Sequence, residues 1–123
     1  MNPVVLLVAI VAEDPAVLRN DDVLMGAVDF GHQELAAWLL QSGASPNGRS
    51  SIGSGQTVLH SAAWEGNLAL VKLLVEAGAD VRALDHEHQG TPADWARYSH
   101  GVSRNPACLA VAEYLESLAC RAP

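Results

Sequence analysis

Hydrophobic positions recur along this chain in blocks, and each block contains two short helical patterns. The segment Val23–Ala44 aligns without a gap to Val58–Ala79 at an offset of 35 residues. In the second block the pattern predicts a helix over Val58–Glu65, a break at Gly66 and another helix over Leu68–Ala77. The second helix has apolar residues at positions i, i+1, i+3 and i+4, which is typical of a helix with a wide buried face.

A third block begins at Thr91-Pro92, 34 residues after Thr57-Val58. Its second helical pattern, Val111–Leu115, repeats Leu70–Leu74 after an insertion at 99–106 that adds seven residues relative to the second block. We expect this insertion to be a longer loop, either a contact site or a neutral variation. Because one block cannot bury its own apolar faces, the repetition predicts a stack of units that cover one another.

Residues Thr57 to Ala63 read TVLHSAA, and Gly66 and Gly78-Ala79-Asp80 follow them. This segment resembles one complete ankyrin repeat, with Val58 in place of the proline in the family's T-P-L-H-x-A core. The third block keeps Thr91-Pro92 but has Ala93-Asp94 where Leu-His is usual, and the first block lacks Thr, Pro and His. The resemblance implies an all-α solenoid of stacked helix-turn-helix units, with loops that pair like β-hairpins.

We therefore expect one domain over residues 1–123, with about three and a half repeats. The predicted units are a degenerate N-terminal repeat at 1–21, repeats at 22–56 and 57–90, and a C-terminal capping repeat at 91–123 that contains the insertion 99–106.

The first twenty residues allow two arrangements. In one, Val4–Ala12 is a second helix whose first helix is missing. In the other, Val4–Ala12 is a first helix and Pro15–Asn20 is a shortened second helix with proline at its first position. Both arrangements cover the open end of the stack.

Composition narrows the class of partner. The chain has 14 acidic and 7 basic residues, a formal net charge of −7, which disfavours nucleic acid and favours a basic protein. The longest apolar run has nine residues, from Val4 to Ala12, which is too short to span a membrane. The two cysteines, Cys108 and Cys120, lie about 18 Å apart on one predicted helix, so we expect both to be reduced and the protein to be cytoplasmic. We also expect a monomer.

Two groups of residues could carry chemistry. His60 stands beside Ser61, but a nucleophile needs a base that a third group orients, and the resemblance implies a structural His60 that ties repeats together. The run Asp85-His86-Glu87-His88 has zinc-ligand residue types, yet it falls at the tip of a loop between repeats, so we expect it to be solvated. We predict no catalytic residue, cofactor or metal.

The resemblance implies that the two positions at the end of each first helix face a concave groove that binds partners. One aromatic residue falls there in each repeat: Phe30, Trp64 and Tyr98. Trp38 aligns with Leu73 and is assigned to the core. The predicted contact residues are Asp29, Phe30, Trp64, Glu65, Tyr98 and Ser99 in the groove, and Arg49, Ser51, Ile52, Arg82, Asp85, His86, Glu87 and His88 at the loop tips.

The sequence thus predicts a non-catalytic module that binds another protein, and its negative charge favours a basic partner. The resemblance also extends to small acidic proteins of bacterial type, which include immunity and antitoxin partners of toxins. Two further alternatives are a structural segment of a larger ankyrin protein and a metalloprotein or enzyme that uses His86 and His88.

Overall fold

A computed structural model describes residues 21–49 and 55–121 of the chain. The described residues form six helices: α1 (Asp21–Asp29), α2 (Gln33–Gln41), α3 (Val58–Glu65), α4 (Leu68–Glu76), α5 (Pro92–Ser103) and α6 (Pro106–Arg121). The two arrangements considered for residues 1–20 lie outside this range, as do Ser51 and Ile52. No helix within 21–49 and 55–121 is both long enough and apolar enough to cross a membrane.

Consecutive helices pack as antiparallel pairs, and the pairs stack. The first helices α1, α3 and α5 contact one another in one row, and the second helices α2, α4 and α6 form a second row behind it. The predicted solenoid of helix-turn-helix units is therefore confirmed. Within the described loops, strand-like pairing consists of an isolated antiparallel bridge between Arg49 and Thr57, which makes that loop hairpin-like.

The core lies between the two rows of helices. Leu39, Leu74 and Leu115 occupy equivalent positions in the three second helices, and all three are fully buried. Ala62 and Ala63 are also fully buried on α3, where small side chains let neighbouring helices approach closely. Trp38 is half-buried against this core, as expected from its alignment with Leu73.

Local sequence signals set the ends of α3. Thr57 caps its N-terminus, because the threonine hydroxyl accepts a hydrogen bond from the His60 backbone N–H at 3.3 Å. Gly66 ends the helix in the left-handed conformation with φ of 72°. A Cβ at position 66 would lie 3.0 Å from Cys108 Sγ, so the close approach of α6 also requires glycine there.

The prediction of a loop over the insertion 99–106 is wrong. His100 stands where α3 has Gly66, and without a glycine to end it α5 continues to Ser103. Arg104 then takes the left-handed conformation with φ of 61°, and the Asn105 side chain accepts a hydrogen bond from the Ala107 N–H at 3.0 Å at the start of α6. The extra residues thus lengthen a helix.

A groove between the first helices and the loop tips

The ends of the first helices carry the exposed aromatic residues that the sequence predicted. Trp64 and Glu65 are the last residues of α3, and Asp29 is the last residue of α1. Tyr98 lies on α5 in the position equivalent to Trp64. Phe30 is 80% exposed, Trp64 is 39% exposed and Tyr98 is 68% exposed.

A continuous set of ring contacts runs from the core to the surface. The buried His60 ring meets the edge of Trp95 at a centroid distance of 5.1 Å, and Trp95 meets the edge of Trp64 at 6.0 Å. Trp64 then stacks on Tyr98 with centroids 5.9 Å apart and ring planes inclined by 26°. Such pairs add stability beyond simple burial, so Trp64 is packed against Trp95 and Tyr98 and is still 39% exposed.

Phe30 does not extend this set of rings. Its ring contact is with His32, at a centroid distance of 6.4 Å. The prediction that Phe30 shares the groove with Trp64 and Tyr98 is therefore wrong, because Phe30 follows the end of α1 and sits one residue beyond the position equivalent to Trp64.

The groove itself has a volume of about 850 Å³. Its lining combines the Trp64, Trp95 and Tyr98 rings with carboxylates from two helices' ends, one loop and the start of α5. The lining residues are Asp29, Gln56, Ser61, Trp64, Glu65, Glu87, His88, Gln89, Gly90, Asp94, Trp95 and Tyr98. An apolar centre surrounded by acidic residues is thus present on this face.

The prediction of Asp85 as a contact residue at a loop tip is wrong. Its side chain is fully buried and accepts hydrogen bonds from the His88 N–H at 2.7 Å, the Gly90 N–H at 2.7 Å and the Trp95 Nε1–H at 3.2 Å. Burial alone would raise the pKa of this carboxyl, but the three donors outweigh it and lower the pKa to about 2. Asp85 is therefore an ionised anchor that shapes the loop and orients Trp95, and it cannot be a contact residue.

Ser99 is the second predicted contact residue that the structure contradicts. It is buried, and its hydroxyl donates a hydrogen bond to the Trp64 carbonyl at 2.8 Å, so it joins α5 to the end of α3. The prediction of an exposed groove contact at Ser99 is wrong because α5 continues through this position and turns the side chain toward its neighbour.

The predicted loop-tip residues divide into two groups. Glu87 and His88 line the groove. Arg49 lies away from it and donates hydrogen bonds to the carbonyls of Gly55 at 2.6 Å and Leu84 at 2.8 Å, which joins two successive loops. Arg82 donates to the Ala119 carbonyl, and His86 is exposed but lies outside the lining.

Two important lining residues, Asp94 and Trp95, were missed by the sequence reasoning. They precede Tyr98 by four and three residues on one helix, and this spacing places side chains on the same face. This spacing relative to Tyr98 was the signal in the sequence that could have identified them, whereas equivalence between repeats could not.

His60 has the structural role expected of it. Its Nδ1 accepts the Thr57 N–H at 3.1 Å, so the ring proton is on Nε2, which donates to the Gly90 carbonyl of the next loop at 2.8 Å. Burial lowers the pKa of His60 below 6.5, and the bond to Gly90 opposes this only in part. In the next repeat Asp94 takes the same capping position, and its carboxylate accepts the Thr91 N–H at 3.0 Å.

The described ranges contain no arrangement of side chains that could bind a metal ion. Among residues 21–49 and 55–121, no group of three His, Cys, Asp or Glu side chains is placed to hold an ion. Cys108 is a free, buried thiol whose sulfur lies 3.5 Å from the Ser99 hydroxyl oxygen.

Comparisons with known proteins agree with the repeat pattern. Residues 24–75 match the family model for ankyrin repeats (many copies). Ankyrin repeat and SOCS box protein 6 of Mus musculus is 36% identical over 75 residues, which are 61% of this chain and 18% of that protein. Notch-regulated ankyrin repeat-containing protein A of Danio rerio is 58% identical over 33 residues, 27% of this chain and 30% of that protein.

A third similar protein is the inactive serine/threonine-protein kinase TEX14 of Mus musculus, 34% identical over 87 residues, 70% of this chain and 6% of that protein. The chain thus spans less than a third of each of these relatives. All three come from animals, so the expectation of a bacterial type, and with it the immunity or antitoxin alternative, has no support from them. The matches and the helical stack together confirm the ankyrin-repeat solenoid, a general protein-interaction module that is typically non-catalytic.

Proposed function

We propose that this chain is a non-catalytic module that binds a partner protein in the groove lined by Trp64, Trp95 and Tyr98. The observation that supports it is the exposure of Trp64 and Tyr98 beside a groove of about 850 Å³. Large rings that remain in contact with water are the residues that most often contribute binding energy at protein interfaces. The contacts of Trp64 with its neighbours fix its orientation before binding, which lowers the entropic cost of forming an interface.

Acidic residues around the rings favour a basic surface on the partner. Asp29, Glu65, Glu87 and Asp94 all line the groove, and the whole chain carries a net charge of −7. Opposite charge on the partner would accelerate association and exclude acidic competitors. The partner therefore has a basic segment, and the chain acts on it by binding.

Site-specific cross-linking tests this proposal. Tyr98 is replaced with the photoreactive residue benzoylphenylalanine, which is also aromatic and fits an exposed position. The control carries the same residue at Glu76, the exposed last residue of α4 in the second row of helices. We expect a specific protein adduct from position 98, lost on addition of excess unmodified chain, and none from position 76. An adduct from position 76 alone would place the interface elsewhere.

A further inference from the structure

The groove contains negative charge that the described part of the chain does not neutralise. Asp29 and Glu65 are exposed, and among the described residues their side-chain carboxylates make no hydrogen bond or ion pair. The lining includes two more carboxylates, Glu87, which lies 3.9 Å from His88 Nε2, and Asp94, which accepts the Thr91 N–H, and it includes no lysine or arginine.

The basic side chains nearby are engaged elsewhere. The Arg97 guanidinium pairs with Glu116, with a distance of 3.0 Å from Nε to Oε2. Arg49 donates to loop carbonyls, and Lys72 lies 5.5 Å from the centre of the Tyr114 ring on α6. Charge complementarity for the groove must therefore come from outside these residues.

The rings add a geometric requirement. Trp64 and Tyr98 stack with their ring planes inclined by 26°, and the parts of the two rings that do not face each other form an exposed aromatic surface. A separation of 5.9 Å between the centroids leaves no space for a group between the rings, so a ligand must lie on their exposed side. The planar, weakly hydrated guanidinium group of arginine stacks on such a surface, whereas the compact ammonium group of lysine keeps its water more strongly.

We infer that the groove accepts a basic segment of the partner with an arginine whose guanidinium lies on the Trp64–Tyr98 surface. Glu65 follows Trp64 in the chain, and Asp94 precedes Tyr98 by one helical turn, so carboxylates flank the rings on both helices. This inference rests on the proposed function, because it names the side chain that the groove selects. It requires both the positive charge and the planar shape of the ligand.

Short peptides separate these two requirements. The probes are the acetylated, amidated peptides of four arginines, four lysines and four citrullines, the last being planar but uncharged. Binding is followed by the indole N–H signals of Trp64 and Trp95 in nitrogen-15 spectra, with Trp38 on α2 as an internal control. We expect saturable shifts at Trp64 with the arginine peptide, about threefold weaker binding of the lysine peptide and at least about tenfold weaker binding of the citrulline peptide.

A pair of matched variants distinguishes the groove from the general negative charge of the chain. Glu65→Gln and Glu76→Gln each remove one charge from the exposed last residue of a helix, α3 or α4. We expect Glu65→Gln to weaken the arginine peptide about threefold to tenfold and Glu76→Gln to change its affinity less than twofold. Equal effects of the two variants, or equal binding of arginine and lysine peptides, would overturn the inference.

The two proposals can fail separately. If position 98 cross-links to a protein but the peptides show no preference for arginine, the groove is an interface and the inferred side chain is wrong. If the arginine peptide shifts Trp64 but cross-linking occurs only from position 76, the peptide result does not rescue the proposed function.

Discussion

At the scale of single residues, Asp85 has the opposite environment to the one its neighbours suggest. It begins the run Asp-His-Glu-His, and Glu87 and His88 in that run are exposed as a loop tip should be. Asp85 is buried because three N–H donors, from His88, Gly90 and Trp95, converge on its carboxylate. One of those donors lies ten residues away in α5, so no local pattern in the sequence reveals it.

Removing the Asp85 carboxylate should destabilise the protein. Asp85→Ala leaves three partly buried donors without their acceptor, and we expect a loss of at least about 2 kcal/mol in the free energy of unfolding measured with urea. The control Glu87→Ala, at an exposed position of the same loop, should change it by less than about 0.5 kcal/mol. Similar values for the two variants would contradict the anchoring role of Asp85.

The low pKa of Asp85 also gives this role a pH signature. The folded protein holds the pKa near 2, below its usual value of 3.8. The unfolded chain therefore takes up the proton first as the pH falls, and the stabilisation present above pH 3.8 is lost between 3.8 and 2.

His60 should make stability depend on pH in a separate and higher window. Its pKa is lowered in the folded state because the ring is buried, so the unfolded chain binds the proton more readily below 6.5. We expect the urea midpoint to be highest above pH 6.5 and to fall as the pH decreases from there towards the folded-state pKa. In His60→Asn this dependence should be absent. A wild-type midpoint that is constant from pH 7.5 to 5 would show that burial does not lower the pKa of His60.

At the scale of helices, the sequence predicted well wherever the repeat was regular. The predicted helix over Val58–Glu65 has those same bounds, and α4 ends one residue before the prediction. Both ends of α3 are set by local signals, the Thr57 cap and the left-handed Gly66, and a sequence shows both residues directly. α5 was predicted less well because its end depends on the absence of such a signal, and a helix that lacks a terminating glycine continues until its packing changes.

The same distinction explains the groove. Trp64 and Tyr98 were predicted as groove residues because they occupy equivalent positions in successive repeats, which the alignment of the repeats shows directly. Phe30 was placed with them in error because its position differs from theirs by one residue. Phe30 lies in the turn after α1, where its ring contacts His32 and not the rings of the groove.

Leu74 is the residue on which the middle repeat depends most. It is fully buried between α4 and its neighbours, and its equivalents Leu39 and Leu115 are fully buried as well. We expect Leu74→Ala to lower the free energy of unfolding by about 2–5 kcal/mol, because the cavity it leaves cannot close in a packed stack. Leu84→Ala, at a residue that is 43% exposed, is the matched control and should cost less than about 1 kcal/mol. A loss below about 1 kcal/mol for Leu74→Ala would show that the second row of helices does not pack as described.

At the scale of the whole molecule, stability and binding are assigned to different surfaces. The buried leucines lie between the two rows of helices, whereas the groove lies where the first helices meet the loops. His60 and Asp85 connect these regions, since His60 bonds to Gly90 and Asp85 bonds to Trp95. The packing of the helices and loops thus sets the shape of the groove before a partner binds.

Trp64→Ala should therefore separate the two properties. It removes a ring that is 39% exposed together with its contacts to Trp95 and Tyr98, each of which contributes about 0.5–1.5 kcal/mol. We expect the unfolding free energy to fall by less than it does in Leu74→Ala, while the affinity for the protein cross-linked from position 98 falls at least about thirtyfold, as it does when a central interface anchor is truncated. Phe30→Ala removes a more exposed ring that lies outside the groove, and it should leave the affinity within about twofold. Titration calorimetry of both variants, with urea denaturation to establish that each is folded, measures the two effects together. Undiminished binding by a folded Trp64→Ala protein would move the interface to the exposed end of α5, where Val102 is 67% exposed one turn beyond Tyr98.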